Sequence, residues 1–113
     1  MFYGETITRL RATASTDRFG AAARDWSAPA ELAIGSVQVQ SVSSQDPTEV
    51  GRAPGVVRVR VISRPGTDLD LLRSDRVRWG GVVWLVDGDV ARHKRPSTGV
   101  LHHAEAVLRR VDG

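Results

Sequence analysis

The stretch Asp75-Arg-Val-Arg-Trp-Gly-Gly-Val-Val-Trp-Leu-Val-Asp-Gly88 decides the fold of this chain. Its two apolar, β-branched halves meet at Gly80-Gly81, and glycine adopts the positive φ angles of a two-residue hairpin turn without steric cost. Such a turn fixes the strand register, so that Val77 lies opposite Trp84. The stretch therefore predicts a β-hairpin of defined register.

The two faces of this hairpin differ in character, because side chains alternate across a strand. The face predicted to join the core is wholly apolar and consists of Val77, Trp79, Val82, Trp84 and Val86. The opposite face is mixed and suits solvent or a partner; it carries Arg76, Arg78, Val83, Leu85 and Asp87.

Further strands are predicted on both sides of the hairpin, over residues 5–13, 31–42, 55–63 and 105–111. Val57, Val59 and Val61 share one face of the third of these. A β-bulge at Gly35-Ser36 would bring the apolar residues on either side of it onto one face. Short helical turns are expected within residues 21–26 and 69–74. Trp26 is expected to fill part of the core at the entrance of a strand. Residues 89–98 are expected to form a polar connection. The pattern predicts an all-β fold, a small six-stranded barrel or sandwich with at most one or two short helical turns.

Composition limits the classes of function. A chain of 113 residues is expected to form a single domain, and the absence of cysteine excludes disulfides and thiolate metal sites. No apolar run reaches the length of a membrane span, and the first residues do not resemble a secretory signal, which predicts cytoplasmic synthesis. The net charge of +3 comes from arginines scattered along the chain, so it is weak evidence for nucleic-acid binding.

The chain shows no arrangement typical of catalysis. Its histidines are His93, His102 and His103, whereas a zinc site needs three or four converging ligands. Because adjacent residues of an extended strand point to opposite faces, His102 and His103 could bind one ion only in a loop, and we interpret the histidines as polar loop residues. Its aspartates are explained by turns, and no serine lies in a nucleophile motif. We expect a protein that is not an enzyme and has no cofactor or metal ion.

Two segments are candidates for partner contacts. Residues 43–54 form a long polar stretch without periodicity, and such stretches are functional or disordered in compact domains. Within it, the candidate residues are Ser43, Ser44, Gln45, Asp46, Thr48, Glu49 and Arg52. The second candidate is the basic segment that contains Arg92, Lys94 and Arg95.

The order of these features resembles the head-to-tail stopper, or head-closure, proteins of long-tailed bacteriophages, especially those infecting actinobacteria. The resemblance covers nearly the whole chain, although each motif is weak by itself. One departure is the segment Asp89-Val-Ala-Arg92, where many relatives have a proline and an aromatic residue. The resemblance to stopper proteins rests on the following motifs: Asp17, Gly20 and Trp26, the polar residues 43–46, the valine-rich third strand, Asp75-Arg-Val, Gly81, Trp84-Leu-Val-Asp-Gly88, Pro96, Thr98-Gly99 and the last strand.

The resemblance implies a structural virion protein of the phage neck, assembled in the bacterial host cytoplasm. Such subunits form a homo-oligomeric ring between the portal or adaptor and the tail terminator or tube. The ring closes the channel around packaged DNA without sequence-specific contact, and residues 43–54 would be its plug. The half-apolar strand faces, with Val56, Ile62, Val83 and Leu85 beside arginines, would either supply subunit contacts or be ordinary exposed sheet faces. The alternatives are a sibling connector role, as tail terminator or adaptor, and a small nucleic-acid-binding β-barrel.

Overall fold

The computed structural model describes residues 2–16, 18–42 and 56–111. It contains seven strands, which are β1 (Glu5–Thr16), β2 (Ala22–Val42), β3 (Val56–Ser63), β4 (Arg76–Trp79), β5 (Val82–Val86), β6 (Ala91–Lys94) and β7 (Leu101–Val111). The predicted loop residues 43–54, including Ser43, Ser44, Gln45, Asp46, Thr48, Glu49 and Arg52, lie outside the described residues.

Six of the strands close into a ring. The neighbour order is β3-β2-β1-β4-β5-β7-β6, and β3 also pairs with β7, so that β6 alone lies outside the ring, on β7. All pairings are antiparallel. The predicted all-β fold with a small six-stranded barrel is therefore confirmed, with β6 as an additional strand.

The interior of the ring is filled by side chains of the predicted core faces. Val59, Val61, Val77 and Trp84 are all buried. Leu69 and Leu71, in the connection before β4, are both fully buried as well. The connection is irregular and contains no helix: Asp70, between the two leucines, has a φ of 37°, and a turn follows in which the Asp75 amide donates to the Leu72 carbonyl at 3.0 Å. The predicted helical turn is therefore replaced by a non-helical turn.

The hairpin has the predicted register, with Val77 opposite Trp84 and Trp79 opposite Val82. Gly80 and Gly81 have φ angles of 63° and 76°, as the turn requires. Val83 and Leu85, on the opposite face, are exposed. The hairpin was thus predicted correctly in register, turn and orientation.

The bulge in β2 is also confirmed. Glu5 pairs with Val37 while Ile7 pairs with Ile34, which leaves an extra residue on β2, and Ser36 has a φ of 56°. Ile34, on one side of the bulge, packs against the core, and Val37, on the other side, is buried within it.

Two predicted strand starts were wrong, and one strand was not predicted. β2 begins at Ala22, because residues 22–25 pair with β1 and leave no helical turn there. β7 begins four positions earlier than predicted, at Leu101, because it has a partner in β6. Residues 91–94, expected in a connection, form β6, whose side chains are all exposed and so carry no hydrophobic periodicity. Among the described residues there is no helix, and hence none with the length and apolarity to cross a membrane.

Candidate interaction surfaces

A two-stranded ribbon extends from the ring. β1 and β2 pair as far as Thr16 and Ala22, whereas β4 pairs with β1 only at residues 8–10 and β3 pairs with β2 only at residues 37–42. We define the ribbon as residues 11–16 and 22–30. It contributes nothing to the core cluster. Because isolated two-stranded hairpins are marginally stable in water, the ribbon is a surface that a neighbouring molecule would stabilise.

The ribbon has an irregular base. Arg11 pairs with Ala30 but Thr13 pairs with Asp25, so β2 has several unpaired residues opposite a single residue of β1. Pro29, which has no N–H to donate to a ladder, lies in this unpaired segment. The Asp25 carboxylate accepts hydrogen bonds from the Ser27 amide and hydroxyl at 2.9 and 2.6 Å. Hydrogen bonds between neighbouring residues of β2 thus replace the hydrogen bonds between strands at the point where β2 departs from regular pairing with β1.

Trp26 joins the ribbon to the hairpin. It is half-buried, lies outside the core cluster, and has the Arg76 guanidinium carbon 4.0 Å from its ring centroid. Trp26 is therefore not the predicted core plug. Its large ring lies instead on the mixed face of the hairpin, where a cation–π contact holds it.

The mixed face of the hairpin, which we call the outer face, exposes two apolar side chains among ion pairs. Val83 is 49% exposed and Leu85 is 36% exposed. Arg78 forms an ion pair with Glu31 of β2, and Asp87 accepts a 2.9 Å hydrogen bond from Arg58 of β3. The outer face is therefore an apolar pair framed by charges, a composition typical of protein contact surfaces.

The other apolar residues proposed for subunit contact behave differently. Ile62 is only 6% exposed, so it is not part of an accessible face. It lines a small pocket together with Tyr3 and Pro65. The side chain of Val56 is outside the described part of the chain.

Asp75, the first residue of the quoted stretch, is a structural anchor. It is 2% exposed and its carboxylate accepts two hydrogen bonds from Arg11, from Nε at 2.9 Å and from Nη2 at 2.8 Å. The Leu72 amide donates a third at 2.8 Å. Burial by itself would raise the pKa of Asp75, but these hydrogen bonds and the nearby arginine charges outweigh burial and lower the pKa below its usual value. The ion pair fastens the connection before β4 to β1.

The basic segment is largely tied to the protein itself. Arg92 donates to the Asp68 carboxylate at 3.0 Å and to the Leu71 carbonyl at 3.1 Å. The backbone of Arg95 forms the turn between β6 and β7, with its amide donating to Val100 and its carbonyl accepting from Gly99. Lys94 is exposed on β6. The Arg92 side chain and the Arg95 backbone thus have structural roles, and the exposed side chains of Lys94 and Arg95 are open to a partner.

The histidines do not lie on opposite faces as predicted. His93 pairs with His103 and Lys94 pairs with Leu101, so His102 is an extra residue on β7. A bulge of this kind turns two successive side chains to the same side. The Nδ1 atoms of His102 and His103 are 2.7 Å apart, and both residues line the pocket next to Ile62. Sequence reasoning missed this cluster because its partner strand β6 was not predicted; the His-x-Glu spacing of His103 and Glu105 was the available signal.

Comparisons with known proteins identify the fold. No protein-family model and no curated protein sequence matches the chain. Among solved structures, the chain is similar to a chain of the virion of a native gene transfer agent particle, with 20% identity and a TM-score of 0.57, over 96% of this chain and 94% of that one. It is also similar to the solution structure of protein SF1141 from Shigella flexneri 2a, with 19% identity and a TM-score of 0.55, over 96% and 93% of the two chains. At these identities the likeness shows a shared fold.

Proposed function

We propose that this chain is a structural, non-enzymatic protein of a phage-type virion, and more specifically a head-to-tail stopper. It would form a ring at the neck, between the portal or adaptor and the tail, and close the channel around packaged DNA. The observation that carries the proposal is the end-to-end match to a chain of the gene transfer agent virion, which covers 96% of this chain. The order of sequence motifs, which does not depend on that match, is typical of stopper proteins.

The two exposed surfaces support assembly into a ring. A closed ring of identical subunits needs two different, complementary surfaces on each subunit. The ribbon and the outer face are our candidates for these two surfaces, because they differ in composition. The ribbon is rich in alanine, and the outer face has Val83 and Leu85 framed by ion pairs. Each subunit would present the ribbon to one neighbour and the outer face to the other.

The pairing of the arginines favours this function over nucleic-acid binding. Phosphate binding needs cationic side chains that are free to replace counterions. At least eight arginines instead form ion pairs with carboxylates of the same chain, namely Arg9, Arg11, Arg58, Arg60, Arg73, Arg78, Arg92 and Arg109. The indole of Trp84 is buried in the core, where it is not available for base stacking.

Engineered cysteines test the ring contact. Because the chain has no cysteine, Ala14→Cys on the ribbon and Val83→Cys on the outer face can be combined without background reactions. We expect a bifunctional thiol reagent to give a ladder of covalent oligomers from the double variant under assembly conditions. The matched control pairs Ala14→Cys with Leu72→Cys, since Leu72 is also exposed, at 51%, but lies elsewhere. Equal cross-linking in both double variants would contradict the assigned contact.

The channel-closing role is tested in particles. Val42 pairs with Arg58, so the strands that flank residues 43–54 are adjacent, and the segment left after deleting residues 45–52 is long enough to reconnect them. We expect this deletion to leave a folded protein that enters particles, while those particles lose DNA or fail to join tails. Normal infectious particles would remove the plug assignment. Electron microscopy of intact particles distinguishes a stopper from a tail terminator or adaptor by the position of the ring.

Titration with DNA tests the other function. If the protein is a connector, monomeric protein should bind DNA weakly at low salt, without sequence preference. Tight binding by a monomer that weakens steeply between two salt concentrations would favour the nucleic-acid-binding alternative.

A further inference from the structure

The cluster of His93, His103 and Glu105 lies where β6 pairs with β7. His93 and His103 are cross-strand partners whose rings stack with centroids 4.6 Å apart. Glu105 follows His103 by two positions and therefore lies on the same face. Its carboxylate is 3.2 Å from His103 Nε2 and 3.9 Å from His93 Nε2. One ligand atom from each of the three residues lies within 4.8 Å of the others.

The position of this cluster is set by rigid neighbours. The bulge places His102 beside His103, and the carbonyl of His102 accepts a 2.6 Å hydrogen bond from the Gly66 amide. The adjacent Ala104 amide donates to the Ser63 hydroxyl at 2.8 Å. His103 and Glu105 are less than one-third exposed, whereas the side chain of His93 is half exposed. Two ligands are therefore held by the sheet, and the third is free to adjust.

Hydrogen positions at His102 and His103 are linked. Their facing Nδ1 atoms, 2.7 Å apart, share a single proton when they form a hydrogen bond. If His102 donates this proton, Nδ1 of His103 is the acceptor. A neutral His103 then carries its ring proton on Nε2 and donates it to the Glu105 carboxylate. If His103 donates it, the Nε2 lone pair of a neutral ring faces the carboxylate of Glu105. That second arrangement is repulsive unless a cation lies between the two groups.

We propose that His93 Nε2, His103 Nε2 and the Glu105 carboxylate bind a divalent transition metal ion, for which Zn²⁺ is the best match. Two imidazoles and one carboxylate are a ligand set that zinc accepts, with a fourth position open to water. His102 would act as the outer partner that accepts the Nδ1–H of His103 and leaves Nε2 available to the metal. This inference does not rest on the proposed virion function.

Modest movements complete the site. Tetrahedral zinc with bonds of about 2.0–2.2 Å needs ligand atoms roughly 3.3–3.6 Å apart. The distance from His103 to Glu105 is already close to this, and rotation of the half-exposed His93 side chain brings in the third atom. Arg60 Nε lies 4.0 Å from the same carboxylate. Because the Arg60 side chain is 44% exposed, it can turn toward solvent when a metal ion takes its place.

The test uses the full chain without an affinity tag, stripped of metal by chelator and titrated with zinc by calorimetry. We expect one equivalent to bind, and Co²⁺ in place of zinc to give the absorption bands of a tetrahedral site with nitrogen and oxygen ligands. His93→Ala and His103→Ala should each weaken zinc binding by about a hundredfold or more. The reason is that losing a residue that only orients a metal ligand already weakens metal binding by about ten- to a hundredfold. His102→Ala should weaken binding less than either of them.

Lys94→Ala is the matched control, because Lys94 is also exposed on β6 but is not a ligand. It should bind zinc as the unmodified chain does. Circular dichroism confirms that each variant is folded, and zinc should raise the melting temperature of the unmodified chain but not that of His93→Ala. Absence of stoichiometric zinc binding by the unmodified chain would overturn the proposal. So would a folded His93→Ala or His103→Ala variant that binds zinc as tightly as the unmodified chain.

Discussion

The hairpin β4–β5 and the pair formed by β6 with the start of β7 are both antiparallel strand pairs, yet they are specified in different ways. The hairpin is defined by neighbours in sequence, because Gly80-Gly81 sets its register and Trp84 sets its orientation. The β6–β7 pair has four exposed residues on one strand and a bulge at His102 on the other. The hairpin is therefore stabilised by burial of its core face, whereas the β6–β7 pair is stabilised by backbone pairing and by contacts between side chains at the edge of the sheet. This difference predicts how the two regions respond to substitution.

The largest effect is expected at Trp84. Trp84→Ala removes a ring that is 4% exposed and leaves a cavity, which should lower the free energy of unfolding by about 3–5 kcal/mol. Leu85→Ala, on the outer face of the same strand, should change it by less than about 0.5 kcal/mol in the monomer. Urea denaturation of both variants measures the difference. Similar losses at the two positions would show that the hairpin faces are wrongly assigned.

A second effect concerns the ion pair that fastens the connection before β4 to β1. Asp75→Asn removes the charge that pairs with Arg11 and should cost about 2–3 kcal/mol, somewhat below the value for a fully buried pair because Arg11 is 35% exposed. Asp70→Asn is the control, since Asp70 also pairs with an arginine but is 68% exposed, and a loss of at most about 1 kcal/mol is expected there. An equal loss in the two variants would contradict the anchoring role of Asp75.

The same ion pair gives a pH dependence. Because the pKa of Asp75 is lower in the folded protein than in the unfolded chain, its contribution is present above the unfolded value of about 3.9 and is lost as the pH falls through the folded value. The difference in stability between the unmodified chain and Asp75→Asn should therefore narrow below about pH 4. Urea midpoints measured from pH 7 down to pH 3 follow this convergence, and a constant difference would refute it.

A smaller effect is expected at the turn. Gly80→Ala places a side chain at a φ of 63°, where no atom lies within 4 Å of the added carbon, so that its cost of about 1–2 kcal/mol is purely conformational. Gly80→Asn should recover most of this loss, because asparagine tolerates the left-handed region and Asn-Gly is a favoured turn pair. Thermal unfolding of both variants checks the order, and an asparagine variant less stable than the alanine variant would contradict it.

The smallest effect is expected in β6. His93→Ala in metal-free protein should change the free energy of unfolding by less than about 0.5 kcal/mol, because the side chain is exposed. The same variant should lose the stabilisation that zinc gives to the unmodified chain. A large loss without metal would mean that β6 contributes to stability as the hairpin does, and the contrast between the two regions would fail.

The same contrast explains what the sequence could predict. Alternating valines identified β3, and the Gly35-Ser36 interruption identified the bulge of β2, because both patterns arise from burial and local geometry. Trp26 was misplaced because an indole held by Arg76 on an outer surface has the same sequence signature as a core residue. The histidine cluster was missed because His93 and His103 meet only through pairing between β6 and β7. The outer face follows from the hairpin sequence alone, whereas the ribbon follows from the ring topology, which no single segment encodes.

The position of β7 in the ring has a consequence for biosynthesis. β7 pairs with β3, β5 and β6, and it follows all of them in the chain. The ring therefore cannot close until residues 101–111 have emerged from the ribosome. Pairings between segments so distant in sequence slow the search for the native state, typically to milliseconds or seconds. During translation the earlier strands therefore have apolar faces that β7 does not yet cover, and uncovered apolar surface of this kind favours aggregation.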